Sequence, residues 1–158
     1  MSICIGAQTI FGILATGAIG AVTPDEVKTY ISFNHQVTDK NEQFKFEEPM
    51  GGFGIEYDIH KNVRLFAEHL SSPMQCDDYP GVNHAGVKFL APVTKDLTIY
   101  SGISVNNSTF DKKDNFDGPL ASIGVEYGDD LKIFAEHLSS VHDFTTGRTS
   151  VGVKVFFK

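Results

Sequence analysis

From Val27 to Phe157 the chain alternates apolar and polar residues in short runs, and turn-forming residues punctuate the gaps. Between Gly51 and Ile59, Phe53, Ile55, Tyr57 and Ile59 fall on one face, and Gly52, Gly54, Glu56 and Asp58 on the other. Between Leu131 and Ser140, Leu131, Ile133 and Ala135 oppose Lys132, Phe134 and Glu136. Val151, Val153, Val155 and Phe157 oppose Gly152, Lys154 and Phe156, and Ala85, Val87 and Phe89 oppose Gly86, Lys88 and Leu90. A period of two is that of a β-strand with its faces in different surroundings, and no stretch after residue 26 has a helical period. The pattern predicts eight strands, over 27–37, 51–59, 63–72, 83–91, 97–106, 120–127, 131–140 and 149–157.

One face of these strands is aliphatic or aromatic, and the other mixes glycine, charge and some bulk. Strands of about 9 to 11 residues patterned this way fit a membrane barrel, apolar outside and polar inside. The connections are expected to run long, short, long, short, long, short, long, with the last long one over Val141 to Arg148. An up-and-down barrel with four long loops at one end and three tight turns at the other has this order. The expected fold is therefore all-β, an eight-stranded antiparallel up-and-down barrel of the outer-membrane type.

An internal repeat sharpens this expectation. Phe66-Ala67-Glu68-His69-Leu70-Ser71-Ser72 recurs letter for letter as Phe134-Ala135-Glu136-His137-Leu138-Ser139-Ser140. Gly54-Ile55-Glu56-Tyr57 is echoed by Gly124-Val125-Glu126-Tyr127, and Ala85-Gly86-Val87-Lys88-Phe89 by Val151-Gly152-Val153-Lys154-Val155. Residues 27–93 and 97–157 thus read as two similar four-strand halves, with the two heptapeptides on opposite sides of the wall.

Residues 1–23 carry no charged side chain. The apolar run Ile10 to Ala21, rich in small residues, is expected to be a secretory signal cleaved near Gly20 or Ala21. The competing readings are a retained apolar helix and a buried segment. Pro24-Asp25-Glu26 marks the boundary, so the barrel takes residues 24–158. With 158 residues and a formal net charge of -7, the chain is one domain and nucleic acid is not an expected partner. Cys4 and Cys76 give neither a disulfide framework nor a metal cluster, and the histidines show no metal-ligand spacing. No cofactor is expected.

The polar faces hold both signs of charge. Glu56, Arg64, Glu68, Lys88, Glu126, Lys132, Glu136 and Lys154 are expected to point inward and form an ion network that closes a narrow lumen. Hairpin geometry predicts Glu56 opposite Arg64 and Glu126 opposite Lys132. Glu68 and Glu136 are assigned to this network and not to acid catalysis.

Candidate chemistry remains on the other face of the heptapeptide. His69 and Ser71 share one side of their strand, as do His137 and Ser139, and both pairs continue apolar faces. A histidine and a serine two residues apart supply a base and a nucleophile if their side chains meet. An eight-stranded barrel with an outward His-x-Ser pair resembles the lipid A 3-O-deacylases, which carry such a pair and a glutamate on the following strand. The resemblance implies a metal-free ester hydrolase with Ser71 or Ser139 as nucleophile and His69 or His137 as general base. The strand after each pair, however, offers no outward carboxylate.

The sequence therefore leads to a non-enzymatic envelope barrel of the bacterial outer membrane, a monomer in contact with membrane lipid and lipopolysaccharide. The alternatives are a lipid A ester hydrolase and a soluble, secreted or virion-associated structural barrel.

Overall fold

The computed structural model describes residues 27–38, 49–71, 82–108 and 119–157. The N-terminal apolar segment with Cys4 and the connections 39–48, 72–81 and 109–118 lie outside the described residues, and Cys76, Asp77 and Asp78 with them. Eight strands follow one another: β1 (Val27–Thr38), β2 (Met50–His60), β3 (Val63–Ser71), β4 (Val82–Pro92), β5 (Leu97–Ser108), β6 (Pro119–Gly128), β7 (Leu131–Ser140) and β8 (Asp143–Phe157). Each pairs antiparallel with the next, and β8 pairs with β1, so the sheet closes into a barrel. Closure pairs every strand on both sides and removes the exposed edges of an open sheet.

The two faces differ as the alternation requires. Along β1, Tyr30, Ser32, Asn34 and Gln36 are buried in the lumen, whereas Ile31 and Phe33 are exposed on the outside. The outer wall also exposes Phe53, Leu65, Phe89, Ile99, Ile103, Ile123, Ile133 and Val151. The buried interior is mostly polar and charged, with a smaller set of bulky side chains, Tyr30, Phe66, Leu90, Tyr100, Leu120 and Phe134. This is the reverse of a water-soluble protein, which places its apolar residues in the core.

Two features of the hairpins correct the sequence expectation. The first is register. Arg64 faces Asp58 and not Glu56, because β2 and β3 turn through Lys61 and Asn62 with a register shift between Asp58 and His60. Lys132 faces Gly128 and not Glu126, because β6 and β7 turn through Asp129 and Asp130. Glu56 and Glu126 consequently lie opposite Phe66 and Phe134. The second is the last connection. Residues 143–148 belong to β8, so Val141 to Arg148 is not a long loop, and β7 and β8 join through Val141 and His142 alone. Phe144, Thr145 and Thr146 are strand-forming residue types, and a register shift beside Ser140 absorbs the extra residues.

The β6–β7 turn depends on Gly128, whose φ is +115°. A side chain there would enter a backbone region that L-residues avoid and would also crowd the Leu131 carbonyl. Gly128→Ala is expected to lower stability by about 1–2 kcal/mol. Urea unfolding in detergent or lipid, followed by far-ultraviolet circular dichroism, checks this; an unchanged midpoint would contradict it.

Candidate functional site

The lumen is where the charges converge. Arg64, on β3, is its centre. Its Nη1 lies 2.9 Å from Glu56 Oε2 and 2.8 Å from Glu126 Oε1, and its Nε donates to Asp58 Oδ1 at 2.6 Å. Lys132 donates to the same Glu126 oxygen at 2.7 Å, and Lys154 to Glu56 Oε1 at 3.0 Å. Both predicted pairs, Glu56–Arg64 and Glu126–Lys132, are thus in contact despite the shifted register. They are diagonal neighbours on facing strands, a separation that long side chains bridge. Arg64 also reaches Glu126 on β6, so the network ties β2 and β3 to β6 across the lumen.

Nearer the long-loop end lie two smaller groups. Lys88 donates to Glu136 Oε2 at 3.0 Å. Glu68 accepts from Ser32 Oγ at 2.9 Å, and its other carboxylate oxygen lies 3.2 Å from His84 Nε2. All eight residues predicted for the interior point into the lumen. Of their partners, Ser32, Asp58 and His84 were not anticipated. Ser32 and His84 could have been read from parity, since each alternates with outward residues on its strand. Asp58 lay on the polar face of its strand, and only the hairpin register hid its partner.

Glycines make these cross-strand contacts possible. A Cβ on Gly54 would lie 2.5 Å from the Tyr30 ring, and one on Gly52 2.5 Å from Ser32 Oγ. The bare β2 floor lets side chains from β1 and β3 meet above it, as Ser32 and Glu68 do. Tyr30 is then flanked by Lys154, whose ammonium stands 4.3 Å from the ring centroid and 5.4 Å from that of Phe134. Tyr100, Gly124, Lys88 and Phe66 make a second set of the same contacts. A Cβ on Gly124 would lie 2.5 Å from the Tyr100 ring, and Lys88 stands 4.2 Å from the Tyr100 ring and 4.9 Å from Phe66. Each lysine is therefore enclosed by two aromatic rings and also hydrogen-bonded to a glutamate, which offsets part of the cost of its burial.

The outward histidines are each fixed by the strand that follows. His69 Nδ1 is 2.8 Å from Asn83 Oδ1, and His137 Nδ1 is 3.0 Å from Thr149 Oγ1. In both cases the partner is the residue directly opposite in register. Phe53, opposite His69 on β2, packs a ring 5.3 Å from the imidazole. The His137 ring edge lies against Gly147, the register partner of Ser139. Ser139 itself is 2 % exposed. Ser71 ends β3, and its side chain lies outside the described ones. The groups that orient the imidazoles are thus an amide and a hydroxyl, where the deacylase arrangement has a carboxylate. Among the described residues no group of three or more histidine, cysteine or acidic side chains could hold a metal ion.

No known protein family and no curated protein matches the chain. Solved structures do. A de novo designed transmembrane β-barrel shares 14 % identity over 86 % of this chain and 98 % of its own, with a TM-score of 0.51. The solution structure of the designed barrel TMB2.3 shares 15 % identity over 84 % and 94 % of the two chains, at a TM-score of 0.52. The N-terminal barrel domain of Pseudomonas aeruginosa OprF shares 14 % identity over 82 % and 97 %, at 0.47. At such identities the likeness to the two designed proteins is one of fold alone: a closed eight-stranded antiparallel barrel of the transmembrane type.

Proposed function

We propose that this chain is a non-enzymatic barrel of the bacterial outer membrane, inserted as a monomer among membrane lipids, lipopolysaccharide included, with a lumen closed by its own side chains. The inverted distribution of residues carries the reading. Large apolar side chains cover the outside of a closed barrel, while Glu56, Arg64, Lys88, Glu126 and Lys154 are buried inside it. An exposed apolar wall of this extent is unfavourable in water and favourable in hydrocarbon. The paired ions and aromatic rings that fill the lumen support the closed reading, and a general porin uses more strands.

Native chain is expected to partition with outer membranes and to migrate differently on gels before and after boiling. In planar bilayers it should show no stable ion conductance. Recovery as a detergent-free soluble monomer would overturn membrane insertion, and steady conductance would overturn the closed lumen.

The same reading predicts the fate of the His-x-Ser pairs. Incubation with lipid A should leave every acyl chain in place by mass spectrometry, in the wild type and in the Ser71→Ala, Ser139→Ala double variant alike. A hydroxyacyl chain released by the wild type and retained with the variant would instead establish the esterase. Ser139 is buried, and among the described residues the partners of the imidazoles are Asn83 and Thr149, not a carboxylate, which is why loss of an acyl chain is not expected.

A further inference from the structure

The outer wall carries a mark of how deeply it sits in a bilayer. Residues paired across neighbouring strands define rows around the barrel, and these rows climb. The row that begins at Val27, at the foot of β1, passes through Tyr57, Leu65, Val87, Ile103, Ala121 and Ser139 to Gly147 on β8. There β8 meets β1 near its top, where Thr149 pairs with Thr38. One circuit therefore climbs most of the length of β1, or roughly one and a half residues per strand, as expected for tilted strands.

Corrected for that climb, three outward positions on separate strands fall at nearly one height: His35 on β1, His69 on β3 and His137 on β7. Asn83 and Thr149, the partners of the last two, lie just above them. Below this level the wall is apolar, Thr29 and Ser101 apart, down to Tyr57, Val63, Leu97, Tyr127, Leu131 and Phe157 near the short turns. His69 and His137 stand the same distance above those turns, six residues beyond Val63 and Leu131. At about 3.3 Å per residue and a tilt of about 45°, the apolar band is on the order of 15 Å high. The band of a typical outer-membrane barrel is about 25 Å.

We infer that the histidine ring marks the head-group boundary of the leaflet on the long-loop side, and that the wall is matched to a bilayer thinner than usual. This rests on the membrane-inserted reading above. The partner is the lipid itself. A half-buried imidazole held by an amide or hydroxyl on the next strand suits the wet head-group zone, not hydrocarbon. A longer hydrocarbon core would bury that ring or force the bilayer to thin around the barrel.

The test is insertion of the full chain into phosphatidylcholine vesicles of increasing acyl length, from ten to eighteen carbons, scored by gel-mobility shift and protease protection. Wild type should insert best in the shortest lipids. The His35→Leu, His69→Leu, His137→Leu triple variant raises the band by about one row. Its inserted fraction in the longer lipids should rise on the order of fivefold relative to wild type. His69→Leu alone should move the same way by less, which keeps the test usable if the triple variant fails to close. Identical chain-length profiles for wild type and variants would overturn the histidine boundary and leave the membrane reading standing. Failure of the wild type to insert at any chain length would overturn the membrane reading itself.

Discussion

Arg64→Ala should cost the barrel about 3–5 kcal/mol, the loss typical of a buried ion network stripped of one partner. The guanidinium reaches Glu56, Asp58 and Glu126 within 2.6 to 2.9 Å, and its own side chain is almost wholly buried. Alanine removes one positive charge from among three carboxylates. Lys154 still holds Glu56 and Lys132 still holds Glu126, while Asp58 is left with the half-exposed Lys28 at 3.4 Å. Glu56 and Glu126 lose their shared guanidinium where water is scarce, so their mutual repulsion is poorly screened. Arg64→Lys should recover part of the loss, since it restores the charge without the fork that serves three acceptors at once. Lys28→Ala is the contrasting case. Lys28 meets Asp58 at 3.4 Å with nearly half its side chain in solvent, and its removal should cost well under about 1 kcal/mol. The chain contains no tryptophan, so unfolding is best followed by circular dichroism or by the mobility difference on gels. Equal losses for Arg64→Ala and Lys28→Ala would show that the lumen is wet enough to screen the network.

The fold was legible in the sequence because its signal is repetitive. Eight alternating runs separated by turn residues leave few other architectures, and the strands observed over β1 to β7 depart from the predicted limits by only one or two residues at an end. The exception is β8. Thr-Thr-Gly-Arg resembles a loop by its glycine and polarity, but threonine is a strand-forming residue type, and Gly147 leaves room for the His137 ring to lie against the backbone. The alternation also places the charges and His84 inside and His35, His69 and His137 outside. It does not reveal register, which depends on whether a hairpin turns through one residue or two. A shift of two leaves every side chain on its face and changes which partner is directly opposite. That is why the Glu56–Arg64 and Glu126–Lys132 contacts were anticipated while Asp58 was missed. The orienting partners of the histidines, Asn83 and Thr149, sit on neighbouring strands, so only the registers of β3 with β4 and β7 with β8 bring them together.

Gly54→Val and Gly124→Val should each destabilise the barrel by about 3 kcal/mol, the upper end of what overpacking a tight interior costs. The corresponding contacts of the two sites make the prediction a paired one. A Cβ on Gly54 would lie 2.5 Å from the Tyr30 ring and 2.8 Å from the Ala67 carbonyl; one on Gly124 would lie 2.5 Å from the Tyr100 ring and 2.7 Å from the Ala135 carbonyl. Neither ring has room to retreat, because Lys154 and Lys88 stand over Tyr30 and Tyr100 at 4.3 and 4.2 Å. Moving a ring would loosen its lysine, and each lysine is hydrogen-bonded to a glutamate across the lumen. Gly51→Ala is the control, since a Cβ there meets nothing within 4 Å, and it should leave stability unchanged. The two sites lie on β2 and β6, four strands apart, so the double variant should lose close to the sum of the single losses. A large loss at one glycine and none at the other would mean that the two tyrosine–lysine cages are not equivalent in energy. A double variant much less damaged than the sum would mean that the cages are coupled through the network centred on Arg64, which joins Glu56 beneath one cage to Glu126 beneath the other.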